Sequence, residues 1–203
     1  MKYSRLVKLA HSVLGDRLGE LGFEFTKSGF VRNLPSLVRQ GLEFELGSYS
    51  NETFSIRCGL TSPVMIRNWP SDGWFFVEYF TTDKQWHFNH GKWPCVVEEN
   101  ARESLVQIYG AIDSMIVPWL DAHSTLSQFA DRIRDSNRGL WSGTLYFHDH
   151  NYVKAREKLT MYRGLLTARQ LKPRSWDTSE GIALELAQVN EMLAAMDQSP
   201  GNS

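Results

Sequence analysis

The sequence predicts an α+β fold, with an N-terminal helix packed on an antiparallel sheet of about five or six strands and three or four helices after it. Three observations carry this. Apolar residues recur at helical spacing over residues 3–21, alternate singly between residues 42 and 60, and return to helical spacing from residue 96 onward. Strands gathered in one part of the chain and helices in another argue against a parallel, doubly wound sheet.

Leu6, Ala10, Val13, Leu14, Leu18 and Leu21 make one stripe on the first helix, and Gly22 is its natural stop. Phe23 and Phe25 then alternate with Glu24 and Thr26, which switches the period to an extended chain. "SGF" (28–30) is a tight turn into the strand "FVRNL", which Pro35 closes. In the next strand Leu42, Phe44 and Leu46 share one face, with Gly41, Glu43 and Glu45 on the other. After a turn at "SYSN", the strand "TFSIRCGL" points Phe54, Ile56, Cys58 and Leu60 inward and Ser55 and Arg57 outward. One dry and one wet face mark an antiparallel sheet, and the first helix is the obvious cover for the dry one. "TSPVMIRNWPSDG" must include a loop, "WFFVEYF" and "KQWHF" read as two further strands, and "HGKWP" as another break.

Ala101, Leu105, Ile108, Ile112, Met115 and Trp119 then mark one long helix, which Pro118 should kink or end. Ser124 or Thr125 caps a short helix containing Leu126, Phe129, Ala130 and Ile133. "YFHDHNYV" (146–153) reads as an extended stretch ending, with Asp149 or Asn151 capping a helix that starts near Tyr152 and runs past Leu166. The last helix carries Ile182, Leu186, Val189, Leu193 and Met196, with Asp177 and Glu180 placed like a capping box. The organisation expected is an α+β domain over 1–136, a helical hairpin over 137–198 packed on it as one compact unit, and a frayed tail over 199–203.

A net charge of −1 and a pI near 6.6 give no nucleic-acid footprint. No stretch approaches the ~18–20 apolar residues that span a bilayer. His11, Asp16 and Arg17 interrupt the basic N-terminus, which makes it an amphipathic helix rather than a signal peptide. Cys58 and Cys95 form no CxxC pair and read as buried reduced thiols, so the expected location is cytoplasmic.

Gly22, Phe23, Phe30 and Arg32, following an amphipathic helix and followed by the alternating strands through Leu60, resemble the bacterial domain-of-unknown-function family 4304. The resemblance covers roughly residues 3–135. It implies the same α+β architecture and a tilt toward bacterial or phage accessory proteins, and it brings no catalytic, ligand or cofactor residues.

His87, His90, His148 and His150 raise the question of a split metal site, because zinc needs three or four such ligands at ~2.0–2.3 Å. Their spacing argues against it. His87 and His90, at i and i+3, converge only on a helix, yet lie where the chain reads as strand and turn. No G-x-S-x-G elbow and no phosphate-binding glycine loop occurs. Glu43 and Glu45 face the wet side of the sheet with Arg57 and read as cross-strand charge pairs. Trp69, Trp74 and Trp93 fall among prolines and glycines, as anchors for a partner or as plugs at the ends of the sheet. The functional expectation is a protein-binding accessory factor without catalytic residues or cofactor, its partner another protein such as a toxin, bound through Glu43, Glu45, Arg57, Trp69, Trp74 and Trp93. Membrane and nucleic acid are not expected partners. The alternative is a metal-dependent hydrolase using the four histidines.

Overall fold

The computed structural model describes residues 1–47, 52–68, 76–80, 93–133, 139–175 and 177–198. The chain divides into two compact units, Met1–Ser62 with Pro70–Ser124, and Pro63–Trp69 with Thr125–Ser203.

In the first unit, helix α1 (Tyr3–Glu20) buries Leu6, Leu9, Ala10, Leu14 and Leu18. It stops in a Schellman motif. Gly22 takes φ +81°, its amide donates to the Gly19 carbonyl, and the Phe23 amide donates back to Leu18. Strands β1 (Glu24–Phe25), β2 (Gly29–Asn33), β3 (Arg39–Leu46), β4 (Thr53–Thr61) and β5 (Phe76–Phe80) pair antiparallel in chain order, and β6 (Trp93–Pro94) also pairs with β4. The turn into β2 depends on Gly29, at φ +156°. A Cβ there would stand 2.0 Å from the Leu42 carbonyl oxygen. The expected turn over 48–51 and strand at 84–88 lie outside the described residues.

The β3–β4 register sets Leu42 opposite Cys58 and Phe44 opposite Ile56. Those side chains meet the buried face of α1 in one core, which also takes in Trp93, Leu105, Ile108 and Ile112. The loop expected around "HGKWP" thus gives way at its described end to a two-residue strand, with Trp93 opposite Phe54.

Helix α2 (Glu98–Ala111) runs into a π-helical turn (Ile112–Ile116) and then α3 (Val117–Asp121). Val117 donates to the Ile112 carbonyl, five residues back. The wider turn lets the chain continue past Pro118, which has no amide to give. The helical path that Pro118 was expected to kink or end continues to Asp121, and its apolar stripe runs on to Leu120.

The second unit holds a short 3₁₀ helix (Pro63–Asn68), α4 (Leu126–Arg132), α5 (Gly139–His148), α6 (Tyr152–Leu171) and α7 (Ser179–Asp197). Thr125 caps α4 in a full capping box with Gln128. Helix α5 replaces the extended stretch expected before Asn151. "GLWSGTLYFH" is apolar nearly all round, so no stripe reveals it. Its Gly139 and Gly143 let it lie directly against Tyr162 and Leu159 of α6, where an added Cβ would come within 2.8 and 2.6 Å of them.

The cap of α7 is one residue from its expected place. Thr178 accepts from the Gly181 amide, while Asp177 accepts from the Arg174 amide. No helix among the described residues is long and apolar enough to cross a membrane. The tail over 199–203 lies outside the described residues.

Candidate functional site

Antiparallel pairing brings Glu43 opposite Arg57 and Glu45 opposite Ser55 on the face of the sheet away from α1. Carboxylates two residues apart on one strand share a face, so the Arg57 guanidinium can sit between both. Its Nη2 lies 2.8 Å from Glu43 Oε2, and its Nη1 lies 3.7 Å from Glu45 Oε2. Ser28 Oγ donates to the other Glu43 oxygen at 2.9 Å, and the Tyr3 hydroxyl donates to the Ser28 carbonyl. Burial, and next the nearby Glu43 charge, push the Tyr3 phenol upward. Exposure rises outward along the cluster, from 15% for the Glu43 side chain to 30% for Arg57 and 47% for Glu45.

This charged end is only part of the outer face. One row along, Gly41 pairs with Gly59 beside Val31, and all three are buried. The face expected to be wet is so only in part, because the glycine row is buried. Among the described residues the outer face is polar on both sides of that row, at Glu43, Arg57 and Glu45 on one side and at Asn33 and Arg39 on the other.

Trp93 does not reach that surface. It is 4% exposed, and β6 turns its ring into the core beside Phe54. Trp69 and Trp74 lie outside the described residues. Trp119 is half-buried, its ring 4.7 Å from that of His123, whose Nδ1 contacts the Trp119 carbonyl.

The "HDHN" stretch is a corner between two helices. His150 stands just past the end of α5 at φ +56°, with its amide on Phe147 and the Asn151 amide on Tyr146, a second Schellman arrangement. Asn151 closes one helix and caps the next, accepting from the Lys154 amide. Asp149 caps neither. Its carboxylate accepts from the Ser127 amide in the first turn of α4. The His150 ring packs edge-on against Tyr152, with Nδ1 2.9 Å from the phenol oxygen.

His148 lies on the last turn of α5, where partial burial, and next the neighbouring His150, push its pKa down. It borders a groove of about 240 Å³ between α5 and α7, with Val64, Leu140, Phe147, Glu191 and Met192. His87 and His90 lie outside the described residues. Among the described residues no group of three or more His, Cys, Asp or Glu side chains could hold a metal. Cys58 and Cys95 are buried free thiols, and burial pushes both pKa values up, away from the reactive thiolate.

No protein-family model, curated protein or solved structure matches this chain.

The residues behind the resemblance to family 4304 have structural work in the first unit. Gly22 ends α1, while Phe23 and Phe30 are core. Arg32 reaches the Leu21 carbonyl, Gln40 and Asp121. Gln40, fully buried, in turn donates to the Leu120 carbonyl at the end of α3. Sequence reasoning missed Gln40, because a glutamine on the dry face of a strand has no local signal.

Proposed function

We propose that the chain is a protein-binding accessory factor, of the kind represented by bacterial immunity or antitoxin-like proteins, that holds its partner through Glu43, Glu45 and Arg57. One observation carries this reading: a guanidinium set between two carboxylates on a rigid sheet, with exposure rising toward Glu45. Such a fixed charge pattern supplies specificity and steering more than raw affinity. The resemblance to family 4304 leans the same way, toward an accessory role.

The test is affinity capture from the native host with the wild-type chain and with Glu45→Lys. Glu45 is half exposed, so the variant folds. A stoichiometric partner held by the wild type and weakened roughly tenfold by the charge reversal supports the reading. Recovery of no stoichiometric partner, or of one indifferent to Glu45→Lys, sinks it.

A second reading, a metal-dependent hydrolase using His87, His90, His148 and His150, draws on the lowered pKa of His148. That shift leaves the imidazole neutral, the form that binds metal. Metal analysis of untagged protein decides it: less than about one tenth of an equivalent of transition metal leaves the reading without support.

A further inference from the structure

The chain's net charge near zero conceals a strong asymmetry. Residues 152–174 carry seven Lys and Arg against one carboxylate, while the rest of the chain carries 15 against 22. That basic segment is α6 and the residues just beyond it.

The inner stripe of α6, Ala155, Leu159, Tyr162 and Leu166, is buried. A second stripe follows the steps of four and three that place residues on one line along a helix, and it runs Arg156, Thr160, Arg163, Thr167, Gln170. The last four are exposed, and Lys172 and Arg174 extend the exposed surface past the helix end. From Arg156 to Gln170 the stripe is about 21 Å long at 1.5 Å per residue. Arg156 is tied to Asp197 at 2.7 Å, and Lys154 to Asp131 at 2.8 Å. Arg163 and Lys172 form no ion pair among the described residues.

We infer that this face of α6 binds the phosphate backbone of nucleic acid. Thr160, Arg163 and Gln170 in the stripe, and Lys172 just past it, are exposed donors of types that contact phosphate, while the Thr167 hydroxyl donates to the Arg163 carbonyl and Arg156 is held by Asp197. An anionic bilayer fits less well. Val153, Met161 and Leu171 are the large exposed apolar residues of α6, and Glu157 and Gly164 separate them, whereas a helix lying in a membrane interface needs a continuous apolar face. An acidic protein would supply isolated carboxylates rather than a repeating anion. Base edges are not part of the inference: binding is to the backbone and independent of base sequence.

The test is fluorescence anisotropy of the full-length chain with a labelled duplex of about 20 base pairs. The expected result is a dissociation constant in the micromolar range in 50 mM salt, weakening roughly 10- to 100-fold in 200 mM salt as counterions are released. Arg163→Gln and Lys172→Gln, both at exposed positions, should each lower the slope of log K against log salt by about one. Far-UV circular dichroism confirms that both variants are folded.

The inference is overturned by no anisotropy change in 50 mM salt at ~100 μM protein. It is equally overturned if the two substitutions combined in one chain leave affinity and slope unchanged. Binding to phosphatidylserine vesicles without duplex binding would assign the face to a membrane. Polyglutamate competing as well as duplex would assign it to acidic protein, and either result overturns the inference. Neither result bears on Glu45→Lys, which probes a different unit of the chain.

Discussion

The Arg32 guanidinium lies 4.9 Å from the centre of the Phe23 ring, and its three donor nitrogens all find oxygen. Stacked on that ring, Arg32 joins the carbonyl end of α1, the buried amide of Gln40 and Asp121 of α3. Arg32→Ala should cost about 2–4 kcal/mol in urea unfolding, mainly because the Gln40 oxygen is left buried without a donor. The Asp121 contact adds little, since that carboxylate is more than half exposed. Arg32→Lys should recover less than half, because an ammonium cannot reproduce the planar fork. A loss under about 0.5 kcal/mol for Arg32→Ala would refute this role.

Gly29→Ala should be the most damaging small substitution in the first unit. The new methyl would overlap a backbone oxygen that is itself part of the β2–β3 ladder, and backbone cannot swing aside as a long side chain does. The expected loss is at least about 3 kcal/mol, read from the shift in thermal or urea midpoint. Wild-type stability in the variant would mean that the β1–β2 turn is built differently.

His150→Gly tests the helix corner in the opposite direction. A residue with a Cβ at φ +56° pays for a left-handed backbone that glycine adopts freely. The substitution should therefore be neutral or stabilising by up to about 1 kcal/mol, despite losing the contact with Tyr152. A loss greater than about 1 kcal/mol would show that the imidazole itself is needed.

Trp93→Ala should destabilise by about 3–5 kcal/mol, as a large ring taken from a packed core does. Trp93→Phe should retain more than half of that. If Trp93→Ala unfolds at the wild-type midpoint, the ring is not core.

Asp131 predicts a dependence on pH. Burial works to raise its pKa, but hydrogen bonds from Lys154 and the Tyr146 hydroxyl outweigh it and hold the carboxyl below its ordinary value. A carboxyl depressed in the folded state stabilises above its unfolded pKa, near 3.9, and that contribution disappears as pH falls through the lower folded value. Urea midpoints taken from pH 5 downward should fall less steeply for Asp131→Asn than for the wild type. Parallel curves would remove Asp131 from the acid response.

Much of this architecture was legible in the residues. The stripe ending at Gly22, the alternation of Phe54, Ile56, Cys58 and Leu60, and the capping role of Thr125 each depend on neighbours within a few positions, and all stand in the structure. Helix α5 was not legible, because a helix that buries Leu140, Leu145 and Tyr146 and meets α6 through glycines shows no amphipathic period. Of the expected site, Glu43, Glu45 and Arg57 do come together, since strand alternation and pairing place them. Trp93 does not join them, because one short pairing with β4 decides which way its ring points.

By itself, then, the sequence determined what local periodicity can encode: the type and order of the amphipathic helices and alternating strands though not of α5, several of their ends, and the opposed faces of the central strands. Tertiary structure decided what needs a second segment to be in place. It turned Trp93 inward, set Asp149 on the first turn of α4, and let a π turn carry the helix past Pro118. It also divided charges of α6 and the residue after it into those tied to Asp131 and Asp197 and those facing solvent at Arg163 and Lys172. Periodicity reports on a residue's own helix or strand, whereas pairing, burial and charge neutralisation depend on segments far apart in the chain that meet only on folding.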